Sequence, residues 1–203
     1  RETPGPTITV SGNVEVNVTG GGLLLESSAL GYFSHTMIGH GGRDFSGAKS
    51  GNIRVDVLGG NISLLAGGTN TSSRYNHSQI GHGGYGNGTT VTALGDITVE
   101  TADGDLALLA GQNAFSYAQI GHGGGRAGVA SQSDLSGNVM VRAGGDITAT
   151  GGSSSYTSAM IGHGGVMGNA NNTWHLGGAI DVEAGGSVTA SGGTGTYSAA
   201  KIG

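Results

Sequence analysis

The chain has no cysteine, so no disulfide framework and no thiolate chemistry enters the argument. Charge is scarce as well: 10% of residues are charged and the net charge is −5. No basic stripe is present to neutralise a phosphate backbone, which points away from nucleic acid as a partner. Apolar runs are short, and none approaches the ~20 residues of a membrane-crossing helix. No basic stretch followed by an apolar one opens the sequence. No segment carries helical periodicity. What the chain has in abundance is glycine, 45 residues of 203, roughly three times average usage. Glycine-rich composition can signal disorder when apolar residues are scarce and unpatterned. Here they are patterned.

The pattern is a repeat. The segment MIGHGG (Met37–Gly42) returns as QIGHGG (Gln79–Gly84), QIGHGG (Gln119–Gly124) and MIGHGG (Met160–Gly165), and KIG (Lys201–Gly203) begins a fifth. Ile38, Ile80, Ile120, Ile161 and Ile202 are spaced by 42, 40, 41 and 41 residues. Upstream of each lie GNVEV, GNIRV, GDITV, GNVMV and GAIDV, then a glycine corner, then a second apolar run such as ISLLA (Ile62–Ala66) or LALLA (Leu106–Ala110). The chain is therefore about five copies of one unit, over approximately 8–47, 48–90, 91–133, 134–176 and 177–203, forming a single domain across 1–203. It starts in RETPGP and stops inside a repeat, so the expectation is a segment of a longer array.

Each unit holds three candidate strands. The first alternates strictly: Ile53, Val55 and Val57 on one face, Arg54 and Asp56 on the other, a period of two that a helix cannot use. The second behaves likewise, with Ile62, Leu64 and Ala66 opposed to Ser63. In the third, steps of two back from each isoleucine reach only small residues, whereas the opposite face carries Met37, Gln79, Gln119, Met160 and Lys201, and further back an aromatic in every copy. Short strands, glycine corners and a fixed period indicate an all-β fold, a parallel β-solenoid in which like residues sit above like residues ~4.8 Å apart. One coil per repeat is favoured over two coils of about 20 residues. On that register Glu15 lies over Arg54, and Glu100, Arg142 and Glu183 alternate in sign, while Asp56 beside Glu100 is a like-charge pair.

The units G-[ND]-[IV]-x-V followed by G-G-x-[IL]-x-x-x-A, carried best by GDITVETADGDLALLAG (Gly95–Gly111) and GGDITATGG (Gly144–Gly152), resemble the degenerate repeats of filamentous-haemagglutinin-type adhesins, the exoproteins of bacterial two-partner secretion. The resemblance covers most of the chain. It implies a right-handed parallel β-helix (β-solenoid), export through an outer-membrane transporter to the bacterial cell surface or biofilm matrix, and no catalytic residues. The IGHGG element lies outside that general pattern.

Four features could carry chemistry. His40, His82, His122 and His163 would form a ladder beside Ile38, Ile80, Ile120 and Ile161. Zinc needs about four ligands around one point, and a straight ladder offers two, so the expected role is packing and hydrogen bonding at a corner, with no metal and no other cofactor. The GHGG glycines lack the Lys-Ser/Thr and helix of a phosphate loop, and the G-G-x-G-x-D repeats of calcium β-rolls are missing. Phe33, Tyr75, Phe115, Tyr156 and Tyr197 would lie on the outer face of a regular strand, where a row of rings could stack on sugars. The competing expectation is a structural ladder or a bulge that turns them inward. Trp174 and His175 fall in a variable loop over 166–176.

Three function classes follow. The first is a non-enzymatic adhesive or matrix segment with exopolysaccharide or cell-surface glycan as partner. The second is a polysaccharide-active enzyme, which needs acids and Arg or Lys clustered on adjacent coils. The third is an ice- or mineral-binding surface, which needs regular Thr-x-Thr rows that the sequence lacks.

Overall fold

The computed structural model describes residues 8–28, 31–43, 45, 47–67, 74–85, 90–125, 132–165 and 173–203. These form an all-β solenoid with one coil per repeat. Ile38, Ile80, Ile120, Ile161 and Ile202 align in consecutive parallel pairs, and the strand pairings among the described residues are parallel, with equivalent repeat positions in register.

Each coil carries four strands, one in each of four five-stranded sheets and one more than the sequence pattern indicates. Sheet B comprises Val14–Val18, Ile53–Val57, Ile97–Thr101, Val139–Ala143 and Ile180–Ala184. Sheet C comprises Leu23–Glu26, Ile62–Leu65, Leu106–Leu109, Ile147–Thr150 and Val188–Ser191. Sheet D comprises His35–Ile38, His77–Ile80, Tyr117–Ile120, Ser158–Ile161 and Ala199–Ile202. The additional sheet A comprises Thr9–Ser11, Ala48–Ser50, Thr90–Leu94, Gln132–Ser136 and Thr173–Gly177. It forms where the sequence shows only a variable segment. Trp174 and His175 therefore lie in a strand and not in a loop, with Trp174 packed against Gly164.

Sheets B, C and D enclose the main core. Ile53, Val55 and Val57 face it from B, Ile62 and Leu64 from C, and Ile80, Ile120 and Ile161 from D, all essentially removed from water. Burial of this kind contributes roughly 25 cal/mol per Å², and the alternation of apolar and polar residues in B and C is what directs it inward. A smaller core of Val91, Ala93 and Leu135 joins sheet A to the glycine corner: Leu135 packs on Gly123.

Corners are tied by side chains as well as by backbone. At the A–B corner the side-chain oxygen of Asn13 accepts the amide N–H of Asn52, that of Asn52 the N–H of Asp96, that of Asp96 the N–H of Asn138, and that of Asn138 the N–H of Ala179, at 2.8–3.0 Å. At the B–C corner Asn61, Asp105 and Asp146 do the same for the next coil. This is the physical content of the G-[ND] positions: an Asx oxygen replaces a ladder carbonyl where the chain turns.

Candidate functional site

The IGHGG corner closes the core at the end of sheet D. In each of the first three coils the first and second glycines after the isoleucine have φ between 138° and 152° or, for Gly123, 118°. A Cβ at Gly39, Gly81 or Gly121 would strike the carbonyl of the equivalent glycine one coil on, and Gly41, Gly83 and Gly123 are equally tight. Only glycine permits both the backbone conformation and the coil spacing here.

Between these glycines the histidines stack with ring centroids 4.8–4.9 Å apart and planes within 9°. Each Nδ1 accepts the backbone N–H of the histidine one coil earlier: His40 N–H to His82, His82 N–H to His122, His122 N–H to His163, at 3.0–3.1 Å. An Nδ1 that accepts must be unprotonated, so the neutral ring carries its proton on Nε2. That Nε2 donates across the seam to the A–B corner, to the carbonyls of Gly12, Gly51, Gly95 and Gly137 at 2.7–2.9 Å. Both nitrogens of His82, His122 and His163 are thereby committed, and neither offers a lone pair to a metal. Among the described residues no three His, Asp or Glu side chains gather as ligands. Burial pushes His122 down to about 3 against the opposing effect of the Gly95 carbonyl, and burial likewise lowers His82 and His163.

The glycine carbonyls receive a second cover that the sequence does not announce. Gln79 Nε2 donates to Gly121 and Gly123, and Gln119 Nε2 to His122, Gly162 and Gly164. Both glutamines are fully buried, although they project from the face of sheet D opposite the core. The reason is that the residues after each glycine pair turn back over that face. Arg43 lies over the Phe33 ring at 3.9 Å, Tyr85 packs against Phe33 and Tyr75, and Gly125 sits against Tyr85 and Tyr117. His35, His77 and Tyr117 stack at 5.0 and 4.7 Å, with His77 and Tyr117 buried beneath this cover and His35 exposed. Burial, then the charge of His35, lowers His77 to about 3.

Phe33, Tyr75, Phe115, Tyr156 and Tyr197 are not on a regular strand. All five occupy the left-handed region, φ 57–66°, a conformation that costs a non-glycine residue about 1–2 kcal/mol. Each sits at the turn that enters sheet D. The rings stack face to face with centroids 4.8–5.2 Å apart, and aromatic pairing of this kind returns about 0.5–1.5 kcal/mol per pair. Ring faces within the column are thus turned to one another, and outward access is to ring edges. Tyr197, at the end of the column, is 70% exposed.

Among the described residues, Lys49 is a cation buried beside the smaller core. It shares a column with Ala93 and Leu135, is 1% exposed, and its Nζ donates to the carbonyls of Phe45 and Gly47 while lying 4.5 Å from the Phe45 ring. Burial pushes it down to about 8.

The outer face of sheet B carries an open groove of about 1100 Å³ that extends from Asn17 in the first coil to Val188 in the fifth. One side is the register column Asn17, Asp56, Glu100, Arg142 and Glu183. Ala102, Gly144 and Gly185, the next residues along in three successive coils, are too small to fill it. A continuous chain of ion pairs runs along the column: Arg54 to Asp56 at 2.6 Å and to Glu100 at 3.3 Å, Arg142 to Glu100 at 3.2 Å and to Glu183 at 2.6 Å. The like-charge neighbours Asp56 and Glu100 are bridged by Arg54, which reaches across from the adjacent column.

Compared with protein-family models, with curated proteins and with solved structures, the chain gives no match to any. No helix among the described residues is long and apolar enough to cross a membrane.

Proposed function

We propose that the chain is a non-enzymatic, rigid segment of a large exported bacterial surface or biofilm-matrix adhesin of the filamentous-haemagglutinin type, delivered through an outer-membrane transporter and acting as a stalk that contacts extracellular polysaccharide. The observation that carries this reading is the use of the repeated polar side chains. His82, His122 and His163 satisfy both ring nitrogens with backbone groups of neighbouring coils, and the Asx residues of two corners do the same with their oxygens. A catalyst needs one convergent site; a stalk needs the same bond at every step.

The alternative, a polysaccharide-active enzyme, draws on the groove, where Arg54, Asp56, Glu100, Arg142 and Glu183 stand on adjacent coils. There each carboxylate is bound to a guanidinium. That arrangement balances charge along the column instead of presenting a free acid opposite a free base, as glycoside cleavage requires. The deciding experiment incubates the purified chain with acidic and neutral polysaccharides and follows new reducing ends and the ultraviolet absorbance of unsaturated sugars. No product is expected; steady release that disappears in Glu100→Gln would establish the enzyme reading instead.

A further inference from the structure

We infer that the sheet B groove binds a linear polysaccharide bearing free amino groups, laid parallel to the solenoid axis. The inference rests on the reading of the chain as a stalk that meets extracellular polysaccharide, and it moves the contact away from the aromatic column, whose ring faces are turned to one another from Phe33 to Tyr156 and leave only the end ring, Tyr197, with an unstacked face.

Shape comes first. The groove is open and spans all five coils, so it suits an extended polymer better than a compact small molecule. Its polar groups recur once per coil, at the ~4.8 Å interval of the parallel strands, as acceptors at Asp56, Glu100 and Glu183 and a donor at Arg142, with Arg54 beside the row. A polymer with hydroxyl and amino groups on every unit can meet such a row along its whole length.

Charge selects the class. The groove is lined by three carboxylates (Asp56, Glu100, Glu183) and two guanidiniums (Arg54, Arg142), an excess of one negative charge, and Glu15 and Asp181 on the same face of the sheet raise the excess there to three. The chain's net charge of −5 has the same sign. A uronic-acid polymer is repelled and an amino-bearing one attracted, with an interaction that salt screens. Side-chain exposure is 53% at Arg54, 39% at Arg142, 53% at Asp181 and 60% at Glu183, and falls to 29% at Glu100 and 20% at Asp56, so the row is most accessible toward Glu183. A cationic peptide is the other linear candidate. Peptides in extended form are gripped chiefly through backbone hydrogen bonds at a sheet edge, with pockets for alternate side chains. The backbone on this face is already paired between coils, and the row of Ala102, Gly144 and Gly185 forms a trough without separate pockets.

The test is isothermal titration calorimetry of the whole chain at pH 6 with chitosan hexasaccharide, beside the fully acetylated hexasaccharide, an oligogalacturonate of the same length and an oligolysine. Chitosan oligomer is expected to bind, to weaken at least tenfold between low and high salt, and to outcompete the other three. Glu100→Gln with Glu183→Gln should lower affinity at least tenfold, while Tyr75→Ala with Tyr156→Ala should leave it within twofold. Because the Glu183 side chain is 60% exposed, Glu183→Gln alone serves as the variant that keeps the fold, checked by circular dichroism, and should lower affinity about threefold. Absence of chitosan binding, binding unchanged in both groove variants, or equal binding of acetylated oligomer, galacturonate or oligolysine would each overturn the inference. Those outcomes leave the stalk reading intact, which falls only if the chain releases new reducing ends.

Discussion

The histidine ladder and the arginine–carboxylate ladder are built on the same period and part company over water. Both place one side chain per coil in register. In the IGHGG corner the rings of His82 and His122 are fully buried, so each must be neutral and must satisfy both nitrogens with fixed partners. On sheet B the charged ends of Arg54, Arg142 and Glu183 stay substantially exposed, so each keeps its charge and its contact with water. Repetition alone therefore does not distinguish scaffold from binding surface; burial of the repeated polar group does.

The comparison is broken most severely at the glycines. Gly121→Val should prevent folding or cost more than about 4 kcal/mol, because a Cβ there meets the Gly162 carbonyl and φ is 147°. Urea unfolding followed by far-ultraviolet circular dichroism would read this directly. Next, His122→Ala strands the His82 N–H and the Gly95 carbonyl. At about 1–3 kcal/mol for each buried group left unpaired, with the lost ring volume added, a loss of about 3–5 kcal/mol is expected in the same assay.

Acid should act on one ladder first. His77, His82, His122 and His163 all have folded-state values below their ordinary 6.5. The unfolded chain consequently binds more protons than the folded one below about pH 6.5, so the stability these residues contribute is complete above that pH and declines as pH falls toward about 3. Between pH 7 and pH 5, before most carboxylates titrate, unfolding should take up about two to four protons, measured from the pH dependence of the urea midpoint. A flat profile across that window would mean that the rings are already charged or exposed in the folded protein.

The smallest effect belongs to the exposed ladder. Arg142→Met should cost no more than about 1 kcal/mol, since exposed ion pairs contribute little and salt weakens them further. A loss as large as that of His122→Ala would erase the distinction drawn between the two ladders.

Much of this architecture is legible in the sequence, for reasons particular residues make clear. Ile53, Val55 and Val57 alternate with charged residues, so strand, face and register can be read together. The Glu100–Arg142–Glu183 column follows from counting the period. Sheet A is not legible, because Gln132–Ser136 reads QSDLS, with neither β-branched density nor clean alternation, and sits where repeat lengths vary. It becomes a strand because its neighbours in the stack are strands. Stepping by two through sheet D places the aromatics on an open outer face only if the backbone is extended there; the left-handed φ at Phe33 and its counterparts is a property no spacing reveals. Burial of Gln79 and Gln119 likewise depends on chain segments that return from the far side of the glycine corner.

The parallel stack also determines how the molecule would bear a load. Traction along the solenoid axis sets the coils against one another one interface at a time: the outermost coil can lift away while every bond deeper in the stack stays intact. Each departing coil liberates about 41 residues, roughly 140 Å of extended chain. The expected force–extension trace is a staircase of equal, modest steps. A solenoid of this kind yields in increments and can rewind when slack returns, because each coil left behind displays the template, including the imidazole ladder, on which the next one was laid.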